Sequence, residues 1–237
     1  RGPAGGSGNN DGVTMSEGSD RNGGPIFPPW FDKVVKIGGA FALAGAVFYG
    51  ALFVYAASPR TLNVGYRPEQ PVKFSHATHA GKLGMDCRYC HNTVERTAHA
   101  SVPPTDTCMN CHATVLKDDE LLVAVQESHA TGKPIKWVRV HDLGDYAYFN
   151  HRAHVMRGVG CVSCHGRIDK MEVVTQQEPL SMAWCLDCHR EPEKHLRPQD
   201  QITSMEWMPE EEPEVLGAKI REERNIHPST SCSVCHR

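Results

Sequence analysis

Apolar positions fall into one long run near the N-terminus and then into short bursts. Ile37–Ala57 is 21 residues without a charged side chain. At 1.5 Å per residue this is roughly 30 Å, the thickness of a bilayer's hydrocarbon core, and it predicts one transmembrane helix within an anchor over 31–58. Two other assignments compete. A buried helix of a soluble domain rarely runs so long without a charge. Ala56-Ala57-Ser58 resembles a signal-peptidase site, but the apolar stretch exceeds the roughly 7–15 residues of a signal core. Gly38, Ala42, Ala46 and Gly50 form a small-residue stripe of the kind that admits a neighbouring helix, although small residues are common in any membrane helix. Trp30 and Phe31 suit the headgroup layer. Residues 1–30 begin with a Gly/Ser/Asn-rich stretch that predicts a flexible segment, with either Met15 or an upstream position as the start.

Beyond Ser58 the pattern is broken. Pro59–Pro71 predicts an extended connector. Leu116–Thr131 predicts a helix with Asp118, Asp119 and Glu120 in its first turn and Gly132 as its stop. Ile135–Val140 alternates but has no evident partner strand, and Pro192–Pro213, with its acidic run Glu210–Glu212, predicts a solvated excursion. The expected fold class is mostly α and irregular: one N-terminal transmembrane helix, then a domain over 59–237 with short helices, long loops and little sheet.

A net charge of -3, a pI near 6.5 and 7% aromatic residues give no basic surface for nucleic acid. The chemistry lies in 10 cysteines and 14 histidines. All ten cysteines stand in five C-x-x-C-H motifs: Cys87/Cys90/His91, Cys108/Cys111/His112, Cys161/Cys164/His165, Cys185/Cys188/His189 and Cys232/Cys235/His236. Chance would give about 0.03 such pentapeptides, so the set is specific for covalent c-type haem. Two thiols three apart lie on one side of a helical turn and can take both vinyl groups of one porphyrin, and the following histidine points the same way to ligate iron. A four-thiolate zinc site explains neither the odd number of pairs nor the histidine after each. A thioredoxin-like dithiol does not come in fives. No cysteine remains for a disulfide or a nucleophile. Five haems on about 180 residues leave too little chain for an ordinary side-chain core around each, so the porphyrins themselves are expected to be the core.

The motifs are duplicated. His76 and His79 stand in F-x-H-x-x-H before the first motif, and His151 and His154 stand in the same pattern before the third. Repeat units of about 72–115 and 147–192 follow, each with an H-x-x-H and two haem sites, with a fifth site added at 232–236. Five six-coordinate irons need ten axial ligands. Motif histidines supply five, and His76, His79, His151 and His154 supply four. The tenth position is open to His99, His141, His195, His227, Met171, Met182 or Met205. A methionine would raise that haem's potential, and Met171 and Met205 are the favoured donors. Covalent haem attachment belongs to the periplasmic side of a bacterial membrane and sets the orientation that the flanking charges leave undecided.

VPPTDTCMNCH (Val102–His112) and the paired F-x-H-x-x-H segments resemble small cytochromes of the c3 and c7 type, in which the two histidines serve different haems. The run from Lys133 to Val174, with LSMAWCLDCHR, resembles the pentahaem cytochrome subunit of the bacterial alternative complex III, over about residues 30–237. Gly144 stands where that family often has proline, which touches a loop and no ligand. The resemblance implies a single-pass inner-membrane protein with five covalent haems. It would conduct electrons from quinol-oxidising integral-membrane and iron–sulfur subunits to a monohaem cytochrome c or a terminal oxidase, without bond-breaking catalysis of its own. Two alternatives are a NapC/NrfH-type multihaem quinol dehydrogenase, which needs a quinone pocket, and a multihaem reductase, which needs an open iron.

Overall fold

The structure, a computed structural model, describes residues 27–58 and 62–236. The expected flexible segment lies almost wholly outside them. The chain divides into two compact units, residues 1–53 and 54–237.

Helix α1 is Pro29–Ala56, opened by a proline whose missing N–H costs nothing in a first turn and carrying no buried residue along its 28. It is long and apolar enough to cross a membrane. It begins two residues before the expected anchor and ends two before its limit. The chain is thus a membrane-anchored one.

The second unit is built from short helices, in chain order α2 Cys87–Cys90, α3 Thr105–His112, α4 Val123–Thr131, α5 His151–Val155, α6 Val162–His165, α7 Met182–Arg190, α8 Pro213–Glu223 and α9 Cys232–Cys235. Among the described residues the extended pairing is one antiparallel bridge, Val159 with Leu196. The expectation of short helices, long loops and little sheet is met.

Buried apolar side chains form small groups. In one group Val72, Leu122 and Val125 pack with Phe74, Met109, Ile135 and Trp137. Ser128 ties α4 to α3 through Thr105 Oγ1 at 2.7 Å and donates to the Lys133 carbonyl at 2.6 Å. In another, Leu196, Ile220 and Ile226, all beyond the second repeat, pack with Val159 and Leu216. Here α8 lies so close to the turn Glu193–His195 that a Cβ at buried Gly217 would run into the Glu193 carbonyl, and Arg221 pairs with Glu193. Neither group is large enough to be the core of the domain.

Two expectations are corrected. The helix expected from Leu116 starts later: Leu116 has a positive φ of 53°, Asp119 caps by accepting from Leu121 N, a 3₁₀ turn follows at Glu120–Leu122, and α4 ends at Gly132 with φ 70°. Pro192–Pro213 is no solvated excursion. Leu196 and Ile202 are buried, Gln199 donates to Val155 O at 3.1 Å, and Arg197 donates to Ser204 O at 2.9 Å while its guanidinium stacks on Trp207. Of the acidic run, Glu211 pairs with Lys219 at 2.6 Å.

Gln176 had no sequence signal. Only 2% exposed, it donates to the Leu62 and Glu178 carbonyls, and its backbone exchanges hydrogen bonds with Gly65 and Tyr66. It anchors the connector after α1 to the second repeat. Ile135–Val140 forms no regular element and is held by Gln70, which both donates to Val138 O (2.8 Å) and accepts from Val138 N (3.0 Å).

Candidate haem-binding centre

Each C-x-x-C-H motif occupies one helical turn. Helices α2 and α9 are the C-x-x-C segments themselves, α6 follows directly on Cys161, and the other two motifs close α3 and α7. The motif histidine completes the turn, with His91 N, His165 N and His236 N donating to the Cys87, Cys161 and Cys232 carbonyls at 2.8, 3.0 and 2.8 Å. That spacing puts both thiols and the imidazole on one face. The ten thiols are unpaired; Cys111 and Cys232 are exposed and the other eight half-buried.

The imidazoles share a hydrogen-bond signature. His79, His91 and His112 place Nδ1 on the carbonyls of Ser75, Ser101 and Val115 at 2.8–3.0 Å. His151, His154, His189 and His236 do the same with Ala98, Asn150, Ser229 and Tyr146 at 2.7–3.0 Å. A carbonyl accepts only from an N–H, so the proton sits on Nδ1 and the Nε2 lone pair is left for a metal. Burial, first among the causes, lowers the pKa of His151 and His154 and brings His76 to about 4 and His165 to about 3. These imidazoles are neutral, as ligands must be. His129 and His227 differ: one pairs with Asp106, and the other spends Nε2 on Asn225.

Histidines expected to be ligands meet as pairs. His79 and His112 have ring centroids 6.2 Å apart, His154 and His189 6.1 Å, and His151 and His165 6.5 Å. Two iron–nitrogen bonds of about 2 Å and two ring radii of about 1.2 Å require roughly 6.4 Å across one metal. In both repeats the second histidine of H-x-x-H thus faces the second motif of its own repeat. Phe74 stacks on His79 at 4.4 Å and Phe149 on His154 at 4.6 Å, which explains the phenylalanine of each F-x-H-x-x-H. The residues fit c-type haem.

His76 meets Phe74 edge-on at 4.9 Å, and its Nδ1 is buried without a hydrogen-bond partner among the described residues. Met171 lies against the π-helical turn Ala77–Lys82, its carbonyl accepting from Ala77 N. Half-buried Met205 sits next to Glu206, which pairs with Arg167 and Lys170. The fifth motif bonds instead to Tyr146 and Tyr148. His99 is exposed and His195 half-buried. His141 is the residue the sequence underrates: its Nε2 is buried without a partner and its ring meets His165 edge-on at 4.5 Å, closer than two ligands across one iron. Nothing in the local sequence marks it.

Asp86 sets the first motif in place. It caps α2 by accepting from Arg88 N at 2.8 Å and accepts from Thr203 Oγ1 at 2.9 Å, which links α2 to the segment that follows the second repeat. The Arg88 guanidinium holds its pKa at about 2, below the ordinary 3.8. Because the folded value is the lower one, the ionised cap contributes fully above about pH 4 and is lost as pH falls towards 2. Asp86→Ala is expected to lower stability at pH 7 by about 1 kcal/mol. Thermal melts at pH 7 and pH 3 check this: the difference between variant and parent should shrink at pH 3.

Comparison with known proteins follows the duplication. A family model described as "Class III cytochrome C family" matches residues 54–142 and one described as "Cytochrome c3" matches 153–237, one on each half. The multiheme cytochrome c subunit of a menaquinone reductase from Nitratidesulfovibrio vulgaris (strain Hildenborough) is 35% identical over 129 residues, covering 54% of this chain and 60% of that relative.

Proposed function

We propose that this chain, a multihaem cytochrome c of the cytochrome c3/class III family anchored in the membrane, is the five-haem electron conduit of a quinol-oxidising respiratory complex. The observation that carries the reading is the set of three histidine pairs at 6.1–6.5 Å, each joining an H-x-x-H segment to a C-x-x-C-H turn. When bound, the haems supply one-electron chemistry. The protein's part is to hold them. Cys87/Cys90, Cys108/Cys111, Cys161/Cys164, Cys185/Cys188 and Cys232/Cys235 attach the five groups. His91, His112, His165, His189 and His236 ligate from one side. His76, His79, His151 and His154 ligate from the other. The pairs are His79 with His112, His151 with His165 and His154 with His189, which leaves His76 for His91. Met171 or Met205 is the tenth ligand. Carbonyl acceptors on Nδ1 fix ring orientation and raise ligand basicity, the levers by which a polypeptide tunes a haem's potential.

In this reading residues 59–237 lie on the periplasmic side of the cytoplasmic membrane. Integral-membrane and iron–sulfur subunits of the alternative complex III kind deliver electrons, and a monohaem cytochrome c or a terminal oxidase receives them. The chain performs no bond-breaking step. A second reading has one specific support: the Nitratidesulfovibrio vulgaris relative is a subunit of a menaquinone reductase, so the same conduit can serve a complex in which electrons run towards the quinone. Electron paramagnetic resonance on the detergent-purified oxidised chain tests the conduit. Five low-spin irons and an intact mass greater than the polypeptide by five haems are expected. A high-spin iron that responds to an added oxyanion would make the chain a reductase instead.

A further inference from the structure

We infer that the five attachment sites form an unbranched path in the order second, first, third, fourth, fifth motif, so that redox partners meet the chain at the second and the fifth. The inference rests on the five-haem reading above and adds to it a spatial order that differs from the order in sequence.

Each link is a contact between motif segments. Second and first meet where Asn110, inside Cys108–Cys111, donates to the hydroxyl of Tyr89, inside Cys87–Cys90, at 3.3 Å. First and third share one strip of backbone: Cys87 Sγ lies 3.9 Å from the Thr203 carbonyl, while Cys161 N donates to the preceding carbonyl of Ile202 at 3.1 Å. Third and fourth are joined by α5, whose His151 faces His165 while its His154 faces His189. Fourth and fifth meet where His189 Nδ1 bonds the Ser229 carbonyl at 2.7 Å, three residues before Cys232.

Exposure identifies the ends independently. Cys111 and Cys232 are the exposed cysteines of the ten, and they belong to the second and fifth motifs. The middle three motifs have no exposed thiol. The first repeat is therefore entered through its later motif, because His79 on the turn Ala77–Lys82 faces His112 and α2 is turned inward against the 202–203 strip.

Iron-edge anomalous diffraction from the haem-loaded full chain in detergent tests the order. The iron of the second motif should have that of the first as its nearest neighbour, and the second and fifth should be farthest apart. A second-motif iron nearest the third or fourth overturns the path. Fewer than five irons overturns the five-haem reading, and the path with it. Kinetics give a second measurement. After flash reduction, the haem-loaded Cys87→Ser/Cys90→Ser variant should show an internal equilibration phase at least tenfold slower than Cys232→Ser/Cys235→Ser, since only the former cuts the path internally. Equal phases in the two variants also overturn it.

Discussion

Serine at both Cys161 and Cys164 is expected to cost the chain more than one haem's worth of stability. The third motif is the most enclosed: residues 161–169 are half-buried throughout, buried Gly158 and Gly160 precede it, and a side chain at Gly160 would run into Arg197. His165 is flanked by His141 and His151. Removing a planar group from that position opens a cavity larger than a lost aromatic side chain, and Phe→Ala or Trp→Ala costs about 3–5 kcal/mol. The buried apolar side chains are few and stand in small groups or alone, so little can collapse into the space. The expected outcome is a midpoint lowered by ~10 °C or more and an intact mass short by at least one haem. Cys232→Ser/Cys235→Ser, on an exposed turn, should lose one haem with a much smaller shift. Melting curves and intact masses of the two variants, side by side, decide. Equal shifts would mean that the third site is not central to the fold.

Removal of Pro29–Ala56, with a cleavable export signal in its place, is expected to move the protein from the membrane pellet to the soluble fraction at any salt concentration. The reason is apolar area: every position of α1 described is exposed or nearly so, including Phe41, Leu43, Phe48, Phe53 and Val54 at 63–75%. Each Leu, Ile, Phe or Val inserted contributes roughly 0.3–0.6 kcal/mol, and ionic strength does not touch that term. The haem count of the released domain should be unchanged, because the second unit, residues 54–237, carries every motif. Sedimentation followed by intact mass measures both. A truncated chain that still pellets in high salt would place the anchorage elsewhere.

Some of this architecture is written in the sequence because it is local. A 21-residue apolar run needs only its own length to be a span. C-x-x-C-H needs only one helical turn to bring two thiols and an imidazole together, and the helices of all five motifs form from residues no more than a few positions apart. Duplication is visible because F-x-H-x-x-H repeats with its spacing intact. Misjudgements came where composition stood in for packing. Proline and glutamate made Pro192–Pro213 look solvated, although Leu196 and Ile202, six apart and off the helical period, are among its most buried side chains. Asp118, Asp119 and Glu120 stood together near the start of the expected helix, and only the fold made Asp119 the cap.

By itself, then, the sequence determined the apolar helix, the five C-x-x-C-H turns, the repeated F-x-H-x-x-H segments and a domain too short of apolar residues to fold around side chains alone. Tertiary structure decided which histidine faces which, that His141 sits against His165, and that Gln176 holds the connector. The physical reason is range. Attachment depends on angles within one turn of helix. Pairing depends on carbonyls such as Ala98, Ser229 and Tyr146, which lie 40 to 90 residues from the imidazoles they orient, and no periodicity encodes a contact over that separation.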